Sequence, residues 1–211
     1  MIITYHGLQF FKIQHGGIVL AFNPPSKSSD YTSRSFGADM VLQSINHEDF
    51  NGGKLLSNGT KEPFIVRRSG EYEVQDVFIK GYQTQAHYGG GEEKINTIYI
   101  VELEGIRICF LGALESIELE PKIFEALDDI DILFVPIGDD GVIGPSDAYK
   151  LAVKLEASII IPMHYKNEKA EVLSSFLKEA GGESKKSQDK LTIKKKDIQK
   201  EVGNVVVLKT T

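Results

Sequence analysis

The hydrophobic pattern of this chain changes its period near the middle, and that change limits the folds that it can adopt. Up to residue 111, apolar residues form short strand-like runs separated by turn residues. A Gly16-Gly17 pair between two early runs is typical of a tight hairpin turn. The strands predicted for this part cover residues 2–5, 10–14, 18–22, 40–42, 64–66, 71–74, 77–82, 97–103 and 106–111.

Helical periods alternate with strand-like runs in the second part. Pro121 and Pro145 each open a stretch with helical spacing of apolar residues, and a third such stretch ends before Gly181. Strands are predicted at residues 132–136, 158–162, 191–193 and 205–208. A β-rich part followed by βα units predicts an α/β fold in which two sheets are enclosed by helices.

Length, charge and cysteine content narrow the class of protein. The chain is predicted to form one domain spanning residues 1–211, and a net charge of −6 argues against a nucleic-acid partner. Cys109 is the single cysteine, which excludes an internal disulfide and favours a cytoplasmic location. No signal-peptide pattern or membrane-spanning run is present, so no membrane association is predicted. The partner, a small molecule or a protein, and the oligomeric state are left open.

Three of the five histidines fall where side chains from separate elements can converge. His47 and His164 follow strand-like runs, and His87 lies in a glycine-rich loop. Imidazole is a common zinc ligand, and the ligands of catalytic zinc often come from different parts of the chain. Because an isolated histidine is more often a surface residue than a ligand, a metal site requires the three to act together.

Seven segments carry motifs in a defined order: residues 4–11, 19–24, 44–50 and 70–74, the loop around His87, and residues 110–113 and 161–165. Together they resemble the metallo-β-lactamase superfamily, and most closely the small bacterial metal-dependent hydrolases related to L-ascorbate-6-phosphate lactonase. The resemblance implies an αββα sandwich. It also aligns the sequence Ser-Ile-Asn-His-Glu-Asp-Phe of residues 44–50 with the family's His-x-His-x-Asp-His signature.

The resemblance implies a site for two zinc ions, and this chain departs from the family at that site. The family's first set of three ligands corresponds here to Ile45, His47 and His87, and its second set corresponds to Asp49, Phe50 and His164. The aspartate that bridges the two ions corresponds to Ala113. Ile45, Phe50 and Ala113 carry no side-chain donor, so two donors remain for each ion. Since catalytic zinc usually has three protein ligands, the resemblance implies a degenerate site without dinuclear zinc hydrolase activity.

Two further positions also lack the polar or ionised residue that the family has there. Leu8 stands where the family often has a histidine, and Asn23 stands where the family has the aspartate of an Asp-Pro pair. Both changes replace a polar or ionised site residue by a neutral one. These replacements indicate that the ancestral metal site has decayed or has been adapted to another role.

Two functions remain open from the sequence. One is a pseudoenzyme that acts through binding. The other is a hydrolase of a phosphorylated sugar, lactone or phosphodiester. In that enzyme one zinc or manganese ion is held by His47, Asp49, His87 and His164. Asp49 is then also the catalytic residue, which orients or deprotonates a water molecule. Glu48 and Glu115 match no ligand position and are expected to be exposed acids. The excess of acidic over basic residues argues against a third function, the processing of nucleic acids.

Overall fold

The computed structural model of the chain describes residues 1–138, 140–182, 186–198 and 203–211. Within these residues the strands are β1 Ile2–Tyr5, β2 Phe11–His15, β3 Ile18–Phe22, β4 Met40–Leu42, β5 Phe64–Val66, β6 Gly70–Val74, β7 Val77–Ala86, β8 Lys94–Leu103, β9 Ile106–Phe110, β10 Ile132–Pro136, β11 Ile159–Met163, β12 Leu191–Thr192 and β13 Asn204–Val205. The α-helices are α1 Pro121–Ala126, α2 Pro145–Lys154 and α3 Glu171–Glu179. Short 3₁₀ helices cover Gly53–Leu56 and Lys195–Asp197.

The strands in the described part of the chain form two mixed sheets. The first has the order β12-β1-β2-β3-β4-β5, and the second has the order β13-β11-β10-β9-β8-β7-β6. β3, β4 and β5 are parallel in the first sheet, and β9, β10, β11 and β13 are parallel in the second. Helices α1 and α2 supply the crossovers that parallel pairing requires. The two-sheet α/β architecture predicted from the sequence is confirmed.

The two sheets pack face to face through aromatic side chains. Phe22 of β3 stacks on Phe110 of β9, with ring centroids 4.4 Å apart. Phe11 of β2 meets Phe134 of β10 edge-on, with centroids 4.6 Å apart. All four rings are fully buried, and large apolar rings of this kind contribute much of the stabilisation of a core. This packing holds the ends of strands from both sheets together at one edge.

The largest difference from the sequence prediction lies around the glycine-rich loop. β7 continues to Ala86 and β8 begins at Lys94, because residues 83–86, three of which are polar, pair with residues 94–97 in an antiparallel ladder. The loop between the two strands is therefore shorter than predicted. His87 and Tyr88 follow directly after the end of β7 and are held close to it.

Three other sequence predictions concern the cysteine, the membrane and the C-terminal region. Cys109 lies in β9 and is buried as expected, and burial raises the pKa of its thiol. No described helix has the length and apolar character needed to cross a bilayer. The final strand is shorter than predicted, since Leu208 forms only an isolated bridge with Gln188. Because residues 183–185 and 199–202 lie outside the described residues, a single domain over residues 1–211 stays a prediction.

Candidate functional site

The residues that follow several parallel strands meet at one edge of the molecule, which includes the turn between β1 and β2. Asn23 follows β3, and His164 follows β11. Leu8, Asn23 and His164 have positive φ angles of 52°, 44° and 67°. Such angles are uncommon in residues other than glycine and often occur at functional sites. In open α/β sheets, ligands also bind beyond the carboxyl ends of the strands, so this edge is the candidate site.

A chain of buried amide groups crosses this edge and ends on His164. The backbone N–H of Ser44 donates to Oδ1 of Asn23 at 2.7 Å. Nδ2 of Asn23 donates to Oε1 of Gln9 at 2.9 Å and to Oγ of Ser44 at 2.8 Å. Nε2 of Gln9 then donates to the carbonyl of Gly112 at 3.0 Å and contacts Nδ1 of His164 at 2.9 Å. Every amide in the chain therefore has a defined orientation.

That orientation determines which nitrogen of His164 carries the proton. Because Nε2 of Gln9 is a donor, Nδ1 of His164 must accept, and the proton of the neutral ring lies on Nε2. Burial lowers the pKa of His164 to about 4, so the ring is neutral at pH 7. A metal-binding histidine usually donates one ring N–H to a neighbouring acceptor and binds the ion through its other nitrogen. His164 has the opposite arrangement.

Asp49 is satisfied by hydrogen-bond donors of the protein itself. The hydroxyl of Tyr88 donates to Oδ2 at 2.8 Å, and the hydroxyl of Ser29 donates to Oδ1 at 2.5 Å. The backbone N–H of Asp49 donates to Nδ1 of His47 at 3.2 Å, and the same Nδ1 lies 3.4 Å from Oδ2. Both carboxylate oxygens therefore have partners without a metal ion.

The other ring nitrogen of His47 faces the backbone of the glycine-rich loop. A Cβ atom placed on Gly89 would lie 2.6 Å from Nε2 of His47, closer than real side-chain contacts allow. Gly89 also has a φ of 78°, in the left-handed region that favours glycine. A glycine at this position is what lets the loop close over His47.

Tyr88 fills the space between the candidate ligands. Its ring meets His47 and His164 edge-on, with centroids 4.9 Å and 5.4 Å apart, and packs against Phe50 at 4.8 Å. Tyr88 is only 7% exposed, and burial together with the hydrogen bond to Asp49 raises the pKa of its phenol, which stays protonated. An aromatic ring thus occupies the region in which His47, Asp49 and His164 would converge on an ion.

The apolar residues at the family's ligand positions belong to one buried cluster. This cluster, here called the apolar plug, is separate from the main core and consists of Leu8, Ile45, Phe50, Ala86, Tyr88, Ala113 and Val142. Each member is less than 8% exposed. An ionised group in such surroundings loses its hydration without gaining new partners, which is strongly unfavourable.

His87 is paired away from the other candidate ligands. Its Nδ1 lies 3.0 Å from both carboxylate oxygens of Glu115, and its backbone N–H donates to Oε2 at 2.7 Å. The side chain of His87 is 54% exposed, whereas that of Glu115 is 28% exposed. Glu48 is exposed as expected, but Glu115 is a partly buried partner of His87 because the segment after β9 passes beside the end of β7.

The donors as arranged do not fit a metal ion. In the described part of the chain, no three histidine, cysteine, aspartate or glutamate side chains are grouped so that they could hold one. His47, Asp49 and His164 surround the ring of Tyr88, while His87 binds Glu115. Uniting the four candidate ligands on one ion would require Tyr88 and His87 to move, so that hypothesis stays a prediction.

Sequence reasoning missed the residues that shape this site most directly. The glycine-rich loop is predicted to border a site, but nothing in the sequence singles out Tyr88 within it, and Ser29 lies in a polar stretch predicted to be a loop. Gln9 did carry a signal, because it is a lone amide between Leu8 and Phe10 in an apolar segment. A buried amide in such a place requires hydrogen-bond partners.

Known proteins similar to this chain cover most of its length. Residues 2–164 match the family model described as a β-lactamase superfamily domain. A UPF0173 metal-dependent hydrolase of Listeria innocua serovar 6a is 25% identical over 195 residues, covering 78% of this chain and 85% of the relative. A UPF0173 metal-dependent hydrolase of Anoxybacillus flavithermus is 25% identical over 197 residues, covering 78% and 86%.

Structural likeness extends over almost the whole chain. A Thermotoga maritima crystal structure, titled as that of a proposed Zn-dependent hydrolase of the metallo-β-lactamase superfamily, aligns with a TM-score of 0.78 and 30% identity, covering 98% of this chain and 97% of that one. The metallo-β-lactamase fold protein YhfI of Bacillus subtilis has a TM-score of 0.64 at 10% identity, which shows the fold alone. The chain therefore belongs to the metallo-β-lactamase superfamily and is homologous to its UPF0173 metal-dependent hydrolases.

Proposed function

We propose that this chain is a metallo-β-lactamase-fold protein with a degenerate metal site and without dinuclear metal hydrolase activity. The observation that carries the proposal is the position of Tyr88. Its ring lies between His47 and His164, and its hydroxyl binds Asp49. The remaining donor side chains therefore contact or hydrogen-bond to a buried tyrosine. The protein acts by binding a partner rather than by hydrolysis.

The charges at the site support this proposal. Two dications about 4 Å apart repel strongly unless an anionic group lies between them. The family's bridging position holds Ala113, whose side chain is buried in the apolar plug and whose N–H donates to Oδ1 of Asn96 at 2.8 Å. Asp49 is the one carboxylate among the four candidate ligands. A dinuclear centre would lack charge compensation here.

The rival function is a mononuclear hydrolase with one zinc or manganese ion on His47, Asp49, His87 and His164. In its favour, the homologues are named as metal-dependent hydrolases. It requires Tyr88 to leave the apolar plug and His87 to leave Glu115, at the expense of the contacts described above. A specific relation to L-ascorbate-6-phosphate lactonase stays a prediction from the order of the sequence motifs.

Hydrolysis of bis(p-nitrophenyl) phosphate and of a simple lactone, with added zinc or manganese, tests the proposal. We expect no turnover above that of the same metal solution without protein, because the residues that the structure describes form no set of three ligands. His47→Ala and His164→Ala should leave this background unchanged. His15→Ala is the matched control, since His15 lies at the far end of β2 from the site.

Metal-stimulated hydrolysis by the wild-type protein would contradict the proposal, provided that it persists in the His15→Ala variant and disappears in the other two. That pattern would favour the mononuclear enzyme. Hydrolysis that is equal in all four proteins would instead come from a contaminant or from free metal, and would leave the proposed lack of activity in place.

A further inference from the structure

A polar cavity of about 360 Å³ lies beside the apolar plug and is lined by Gln43, Ile45, Asn46, Asn51, Arg67 and Arg68. The register of two parallel strands builds one wall of it. Leu42, the last residue of β4, pairs with Val66, the last residue of β5. Gln43 and Arg67 therefore leave the sheet side by side, and Nε of Arg67 donates to Oε1 of Gln43 at 2.8 Å.

The lining of the cavity is cationic and includes no carboxylate. Arg67 and Arg68 are two of the chain's four arginines, and neither forms an ion pair within the described residues. This is unexpected in a chain where acidic residues outnumber basic ones by 30 to 24. Two guanidinium groups that line one cavity repel each other, and a bound anion would relieve that repulsion.

Gln43 is a buried amide in the wall of this cavity. It is only 2% exposed, and its Nε2 is buried without a hydrogen-bond partner among the described residues. Buried amide donors in native proteins are nearly always paired, so an orphaned one calls for a partner that the protein alone does not supply. Nε2 lies next to Gly53 and is not accessible from the cavity, so an acceptor atom there would reach it only after rotation of the Gln43 side chain.

We propose that this cavity binds the oxyanion group, phosphate or carboxylate, of a small molecule. Guanidinium groups present paired N–H donors that match two oxygens of such an anion. Nδ2 of Asn51 donates to Oδ1 of Asn46 at 3.1 Å, which leaves the Nδ2 group of Asn46 as a further neutral donor. The volume is in the range of small-molecule sites. The inference does not depend on whether the neighbouring pocket holds a metal.

Titration with sodium phosphate and, in a separate arm, with sodium acetate tests this site at an ionic strength held constant with sodium chloride. The readout is the side-chain amide signals of Gln43, Asn46 and Asn51 in ¹H–¹⁵N NMR spectra. We expect saturable shifts of these signals, and the arm that saturates identifies the site as one for phosphate or for carboxylate. Arg68→Ala should weaken binding by about tenfold to a hundredfold.

Arg68 suits this test because its side chain has no ion pair or hydrogen bond in the described part of the chain, so its removal should not disturb folding. The double variant Arg67→Ala/Arg68→Ala should abolish saturation. Its matched control is Lys166→Ala/Lys169→Ala, which removes the same charge from an exposed segment.

Loss of binding in the arginine variants with retention in the lysine variant supports the proposal. The absence of saturation in both arms, or equal weakening by the two double variants, overturns it. Saturable binding of an oligothymidylate without binding of either small anion also overturns it, in favour of a nucleic-acid contact.

Discussion

Replacing Tyr88 by alanine is expected to lower the free energy of unfolding by about 3–5 kcal/mol, the range found for removing a large aromatic side chain from a packed core. The ring contacts His47, Phe50 and His164, so its removal leaves a cavity walled by side chains that cannot collapse easily. Asp49 also loses a hydroxyl donor. Urea unfolding followed by circular dichroism measures the change, with an unchanged denaturant dependence if the unfolded state is unaffected.

Two further variants separate the contributions of the ring and the hydroxyl. Tyr88→Phe keeps the ring and removes the bond to Asp49, and a loss of about 1–2 kcal/mol is expected. Tyr31→Ala is the control, because Tyr31 is 43% exposed and its removal should change stability by less than about 0.5 kcal/mol. Equal effects of Tyr88→Ala and Tyr31→Ala would show that Tyr88 does not fill the site.

Asn23→Asp restores the residue that the family has at this position, and we expect it to destabilise the protein by about 3–5 kcal/mol at pH 7, as for an uncompensated buried charge. The new oxygen in place of Nδ2 would face the acceptor Oε1 of Gln9 and the hydroxyl of Ser44, which can rotate to donate to it. Rotating the amide of Gln9 would turn its oxygen towards the carbonyl of Gly112, which is also an acceptor. The buried carboxylate would keep the N–H of Ser44 as a donor and could gain the Ser44 hydroxyl, but it would face the oxygen of Gln9 and would have no cation to balance its charge.

The same substitution has a defined pH dependence. Burial without a neighbouring cation, together with the facing oxygen of Gln9, raises the folded-state pKa of the new carboxyl above its unfolded value of about 3.9. The destabilisation is then complete above the folded-state pKa, and it diminishes as the pH falls towards the unfolded value, because the neutral acid carries no charge penalty. Unfolding measured at pH 7 and pH 5 should show a smaller difference from the wild type at pH 5.

Asn167→Asp is the matched control for this experiment. Asn167 is exposed, and within the described residues its side chain uses only Oδ1, as the acceptor of the Lys169 N–H. Its replacement should leave stability almost unchanged at both pH values. An Asn23→Asp variant as stable as the wild type at pH 7 would mean that the amide chain from Asn23 to His164 reorients freely, and the assigned protonation of His164 would then be wrong.

The fold could be predicted from the sequence because its signals are local or strongly periodic. The buried strands β10 and β11 are continuous apolar runs, and Pro145 begins α2 at the position where proline is favoured. Strand ends were less predictable. Residues 83–86, which are mostly polar, extend β7 only because residues 94–97 lie opposite them, a non-local pairing that no local pattern reveals.

The candidate site could be predicted only in part. The substitutions at Ile45, Phe50 and Ala113 were visible in the sequence once the resemblance was recognised, and all three residues lie in the apolar plug. The insertion of Tyr88 depends on the short loop after β7 and on the close approach of Gly89 to His47, which are properties of the folded molecule. The pairing of His87 with Glu115 likewise joins residues 28 positions apart.

Metal content tests the central claim most directly, namely that Tyr88 and the apolar plug have replaced the metal site. The protein would be purified without chelators from cells grown with added zinc or manganese, and bound metal would be measured by inductively coupled plasma mass spectrometry. We predict a content far below one ion per chain, unchanged in the His47→Ala, His164→Ala and His15→Ala variants. A content close to one ion or more per chain that survives in His15→Ala and is lost in both His47→Ala and His164→Ala would contradict the claim.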